Sequence, residues 1–192
     1  MRTDAGARQG LERAPPKSRA QRLAQSFAAL VLAVLLAPAA GRAEPLRAAV
    51  FDVDFLDTSQ EGETRGTLRA DETARVALVT DTLRRMLAER GVTLVDLSPL
   101  RARIDKAAPI RSCNGCEVDL AREAGAQVAV TGLVQKVSNL IINLNVTVRD
   151  VCDGRSIRAG FVDIRGNTDE SWQRGMSYLV RNRLSEPPLT LP

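Results

Sequence analysis

The run from Leu140 to Asp150 constrains this chain more than any other. Leu140, Ile142, Leu144, Val146 and Val148 alternate with Ile141, Asn143, Asn145, Thr147 and Arg149. In an extended chain successive side chains point to opposite faces, so this run is a strand with one buried and one polar side. A sheet with one covered face has to be built around it. Gln127 to Val137 reads as a second strand, joined through a tight turn at Ser138-Asn139. Asp153-Gly154 is a hairpin-turn dipeptide leading into a third strand, Arg155 to Arg165.

The preceding residues change period. Arg47 to Phe55 reads as a strand with Ala49, Phe51, Val53 and Phe55 on one face. Asp57 to Leu68 is polar and reads as a loop, with Glu61, Glu63, Arg65 and, just beyond, Arg69 lining it. Over 70–90, Val76, Val79, Leu83, Met86 and Leu87 recur at helical spacing, and Gly91 ends the helix. Val92 to Leu97 is a short apolar strand. Residues 98–115 are irregular, with one helical turn around Leu100 to Lys106, and a short helix covers Glu117 to Ala124. A last helix spans Thr168 to Leu184. Asn167 or Thr168 caps it, Glu170 completes a capping box with Asn167, and Trp172, Met176, Leu179 and Val180 form its buried stripe. The order β-α-β-α-β-β-β-α predicts an α/β (α+β) domain: one mixed sheet of about five strands, helices mainly on one face. It spans 44–186, and 187–192 is a frayed, proline-containing tail.

The first 43 residues read as an address. Arg2, Arg8, Arg13, Lys17, Arg19 and Arg22 precede an apolar run, Phe27 to Ala37, and small residues lead to Ala43. This is the layout of a secretory signal peptide cleaved after Ala43. The apolar run is about half the ~20 residues a membrane span needs, so no permanent span is expected once the leader is removed. The chain's net charge of +4 belongs to this leader, which holds seven Lys/Arg and two acids; the remainder has 20 basic and 21 acidic residues. The basic pI therefore gives no support for nucleic-acid binding, and the expected location is the periplasm or the exterior. The chain has no His. That removes Ser-His-Asp and Cys-His catalysis and His-ligated metals.

Three groups carry the remaining chemistry. Cys113 and Cys116, in Cys-Asn-Gly-Cys, read as a structural disulfide in an oxidising compartment, a thiol-disulfide redox pair, or a pair of metal-binding or reduced thiols. Cys152 is free, pairs between chains, or replaces one partner in the bridge. Asp52, Asp54 and Asp57 superficially resemble the first motif of magnesium-dependent phosphohydrolases of the haloacid-dehalogenase type. Asp52 and Asp54 would be the working acids, but the late pair of metal-binding acids is missing. Asn143, Asn145, Thr147 and Arg149 face the uncovered side of the sheet, as a solvated row or a face for a partner.

The segments "AAVFDVDFLDTS", "VTLVDLSP", the block from Cys113 to Asp150 and "RAGFVDIRGNTDESWQRGMSYLVRNRL" resemble a family of exported bacterial proteins of unknown function. The layout is more distantly similar to the N-terminal domain of TolB, to the domain of CsgG and to lipoprotein activators of peptidoglycan synthases. The resemblance implies a protein-binding or accessory module of the envelope, linked to periplasmic quinoprotein alcohol oxidation. It implies no catalytic residue, cofactor or metal. The expected partner is an envelope protein.

Overall fold

The computed structural model describes residues 44–186, 188 and 189; the segment expected to be a signal peptide and most of the tail lie outside the described residues. The strands are β1 (Arg47–Val50), β2 (Asp54–Asp57), β3 (Thr93–Leu94), β4 (Val128–Lys136), β5 (Ile141–Asp150) and β6 (Ser156–Arg165). The helices are α1 (Gln60–Arg65), α2 (Ala70–Ala88), α3 (Arg101–Ala107), α4 (Cys116–Glu123) and α5 (Asp169–Leu179), the last continuing as a π-helical turn, Val180–Leu184. All six strands form one mixed sheet in the order β3-β1-β4-β5-β6, with β2 following β1 along the same side of β4. β1 is parallel to β3 and β4, and β4, β5 and β6 form the antiparallel meander the alternation predicts.

The two long helices lie on one face. There Ala48, Val50, Val130, Leu144, Val146 and Val148 meet Val79, Leu83 and Leu87 of α2 and Trp172, Met176 and Leu179 of α5. Phe55 stacks on Trp172 with ring centroids 5.9 Å apart. The short helices α3 and α4 cover one end of the other face, where Ala49, Phe51 and Ala129 meet Ile104, Leu120 and Ala121.

The first predicted strand is broken. Val50 pairs with Val130 and Asp54 with Leu133, so three residues oppose two. The extra residue is a bulge, and it exchanges the faces beyond it. Ala49 and Phe51 keep one face, while Val53 and Phe55 join Ala48 and Val50 on the other. Gly132 makes room: a Cβ there would stand 2.8 Å from Val53 Cγ2. The displaced Val53 amide donates to Thr80 Oγ1 at 3.0 Å, so the bulge buries no unpaired donor.

Two local expectations are corrected. The 57–68 loop contains a helix, α1, because Ser59 Oγ accepts from the Gly62 amide and Gly66 closes it in the left-handed region. The capping box of α5 is Thr168 with Ser171, not Asn167 with Glu170. Asn167 is used elsewhere.

Candidate functional site

Past α3 and α4, the second face of the sheet is open over β5 and β6. Asn143, Asn145, Thr147 and Arg149 lie on it, each partly buried, alternating with the buried Ile142, Leu144, Val146 and Val148. On β4 they are flanked by Gln135, Leu133, Thr131 and Ala129, and on β6 by Asp163, Phe161 and Ala159 beside the first three. Phe161 is 69 % exposed at the outer edge. The Oδ1 of Asn143 is enclosed by its neighbours and has no hydrogen-bond partner among the described residues. Buried polar atoms are nearly always paired, so an unpaired one marks a place where the surface is incomplete.

A cleft of about 540 Å³ separates this row from the cysteine loop; Asn145, Thr147 and Arg149 line one side, and Arg111, Asn114, Gly115 and Glu117 the other. Asn114 (φ 55°) and Gly115 (φ 98°) are both left-handed, which turns the chain tightly enough to bring Cys113 back to Cys116. The two sulfurs are bonded, and Cys152 is a free, exposed thiol in the β5–β6 turn. Cys116 is the first residue of α4. Glu117 is buried, only 7 % exposed. Its Oε2 stands 3.5 Å from Cys113 Sγ, and its Oε1 stands 3.3 Å from Arg149 Nε. Among the described residues, the ligand atoms of Cys113, Cys116 and Glu117 lie within 4.8 Å of one another. The structure therefore brings the cysteine motif and the polar row of β5 to one cleft, with Arg149 and Glu117 as the link.

The three aspartates do not share a site. Asp52 accepts from Arg84 on α2 and Arg101 on α3, each at 2.8 Å. Partial burial pushes its pKa up, but the hydrogen bonds from Arg101 and Arg84 outweigh that and hold it below the usual carboxylate range. Asp54 accepts from the Arg111 amide at 2.7 Å and so anchors the cysteine loop to β2. Asp57 turns the other way, toward Lys136, at 3.2 Å.

Lys136 is the centre of a second polar cluster. It is fully buried, and its Nζ meets Glu72 at 2.7 Å, Asp57 at 3.2 Å and Glu61 at 3.3 Å. Asn167 extends the network: Nδ2 donates to Glu72 and Oδ1 accepts from Trp172 Nε1 at 3.0 Å. Desolvation disfavours the Lys136 charge, yet the hydrogen bonds to Glu72 and Asp57 outweigh it and raise its pKa. Lys136 shares the phase of Val128, Val130 and Val134 in its strand, a pattern that asks for a buried acid. Phe161 shares the outward phase of Asp163 and Arg165. Neither residue is among those that the alternation and the motifs single out. The pairing of Glu117 with Cys113 and Arg149 left no local mark at all.

Fold and site together define an α+β domain with one helix-covered sheet face and one face left partly open beside a disulfide loop. The chain belongs to the family described as protein of unknown function (DUF2380), whose DUF3280 profile matches residues 46–184. No curated protein sequence matches it. Among solved structures it is similar to the LpoB C-terminal domain from Salmonella enterica, at 25 % identity, with 71 % of this chain and 93 % of that chain covered and a TM-score of 0.44. The LpoB C-terminal domain from Escherichia coli matches at 21 % identity, with 70 % and 93 % covered and a TM-score of 0.46. Lipoprotein GNA1162 from Neisseria meningitidis matches at 15 % identity, with 65 % and 84 % covered and a TM-score of 0.43. Among the described residues no helix is long and apolar enough to cross a membrane.

Proposed function

We propose that this chain is an exported docking module of the cell envelope that holds a protein partner on the open face of β5 and β6. One observation carries the reading. A large ring, Phe161, stands 69 % exposed beside the polar row of β5, on the part of the face that the described helices leave open. An exposed aromatic bordered by polar side chains suits a partner that brings both apolar surface and hydrogen-bonding groups. Two features support the compartment: the leader-like first 43 residues and the disulfide at Cys113–Cys116. The same reading treats the domain as akin to the TolB and CsgG assembly modules. It places the partner within periplasmic quinoprotein alcohol oxidation.

The test uses a photo-cross-linking residue at position 161 or 145, with exposed Asp81 on α2 as the control position. In cells that export the protein, positions 161 and 145 should give one discrete adduct that position 81 does not. The same adduct pattern at all three positions, or none at 161 and 145, rejects the open face as the docking surface. Mass spectrometry of the adduct tells whether the partner is a component of alcohol oxidation.

A further inference from the structure

We propose that the Cys113–Cys116 bridge is exchange-active, with Glu117 as the proton relay to Cys113 and a cysteine-bearing polypeptide in the adjoining cleft as the substrate class. The choice of a polypeptide rests on the docking reading, whereas the chemistry of the bridge does not. Four observations converge. The bridge joins residues only three apart, so it closes a minimal loop and restrains the unfolded chain very little. Both cysteines are half-buried rather than sealed, and the loop that carries them forms a wall of the cleft. Cys116 opens the eight-residue α4, where the helix dipole favours a thiolate. The first-turn acids that would oppose this are paired, Glu117 with Arg149 and Asp119 with Arg122. Finally, the Glu117 side chain is only 9 % exposed, and its carboxylate stands 3.5 Å from Cys113 Sγ. An acid so placed can exchange a proton with that sulfur once the bridge opens.

The exchange balances. A substrate thiolate attacks Cys113 Sγ, the Sγ–Sγ bond breaks, and Cys116 leaves as a thiolate at the start of α4. The second substrate thiol then attacks the substrate sulfur of the mixed disulfide. Glu117 accepts the proton that this second thiol loses and passes it to Cys113, which leaves with the electron pair. The substrate, entering as one thiolate and one thiol, is oxidised to a disulfide by two electrons, and the bridge is reduced to the Cys116 thiolate and the Cys113 thiol.

The experiment uses the exported chain carrying Cys152→Ser, so that one pair reports. The probe is a glutathione buffer of mixed thiol and disulfide, followed by alkylation and mass spectrometry, with circular dichroism read in parallel. The bridge should equilibrate with the buffer while the chain stays folded. Glu117→Gln should slow the exchange at least tenfold and flatten its pH dependence, and Glu117→Asp should restore part of both. A bridge that glutathione leaves intact, or opens only as the fold is lost, overturns the proposal. So does a Glu117→Gln variant with an unchanged rate and pH profile. Because glutathione needs no docked protein, loss of the cross-linked adduct and loss of exchange are separate failures.

Discussion

Lys136 and Asn143 lie one rung apart on neighbouring strands and face opposite sides of the sheet. Both bury a polar atom. The Lys136 ammonium is surrounded by three carboxylates, each fixed by further hydrogen bonds: Asp57 from Ser59, Glu72 from Asn167, and Glu61 from Arg65 and Asn139. The Asn143 carbonyl oxygen is as enclosed and has no partner among the described residues. Low polarity around a buried group strengthens every satisfied contact and penalises every missing one, so the two sites sit at opposite ends of one scale. The first is closed by the chain itself and serves the fold. The second is left incomplete on a face that the fold does not cover.

The largest effect should come from breaking the closed cluster. Lys136→Met removes the cation bonded to Glu72, which is 1 % exposed, and leaves that carboxylate buried without its ion-pair partner. Loss of one partner of a buried pair costs about 3–5 kcal/mol. Urea unfolding should show that loss, and the double variant Lys136→Met with Glu72→Leu should regain most of it. A cost below about 1 kcal/mol would mean that the cluster is not what secures the sheet's end.

The same cluster sets the pH response. Glu61 is held down from an ordinary 4.5 to about 2 by the hydrogen bonds of Arg65, Asn139 and Lys136. For Asp57 burial works against ionisation, but the hydrogen bonds of Ser59 and Lys136 win and lower its pKa. Such carboxylates bind fewer protons folded than unfolded. Their contribution is therefore complete above the ordinary carboxylate range and is lost as pH falls through the depressed values. Lys136 has the opposite sign: its contribution is present below an ordinary 10.5 and lost as pH rises through its raised value. Melting temperature should fall as pH drops from 4.5 toward 2, and Glu61→Gln should flatten part of that slope. Asn143→Leu, which removes no titratable group, should leave the slope as it was.

What was legible in the sequence follows the same divide. The meander could be read because period-two alternation is local, as are the Asp153-Gly154 turn and the apolar stripe of α2. The break in the first strand was hidden, since a single bulged residue changes every face beyond it without altering composition. The cysteine motif and the polar row of β5 were each singled out. Their meeting in one cleft depends on α4 packing back over the sheet, which no spacing records. Lys136 left a signal, a charge in the buried phase, whose meaning depended on knowing that Glu72 and Asp57 converge on it.

The smallest stability effects, and the sharpest test of the comparison, belong to the open face. Phe161→Glu trades an exposed ring for a solvated acid and should shift stability by no more than about 0.5 kcal/mol. Asn143→Leu replaces an enclosed acceptor that has no donor by an apolar group of similar size. Removing an unsatisfied polar atom is neutral or mildly stabilising, by about 1 kcal/mol or less. Both variants should nonetheless lose the adduct formed from position 145. Stability would be read by urea unfolding and docking by the cross-link. If Asn143→Leu instead unfolds the chain as readily as Lys136→Met, the row on β5 serves the fold just as the lysine cluster does, and the distinction between a closed and an open polar site disappears.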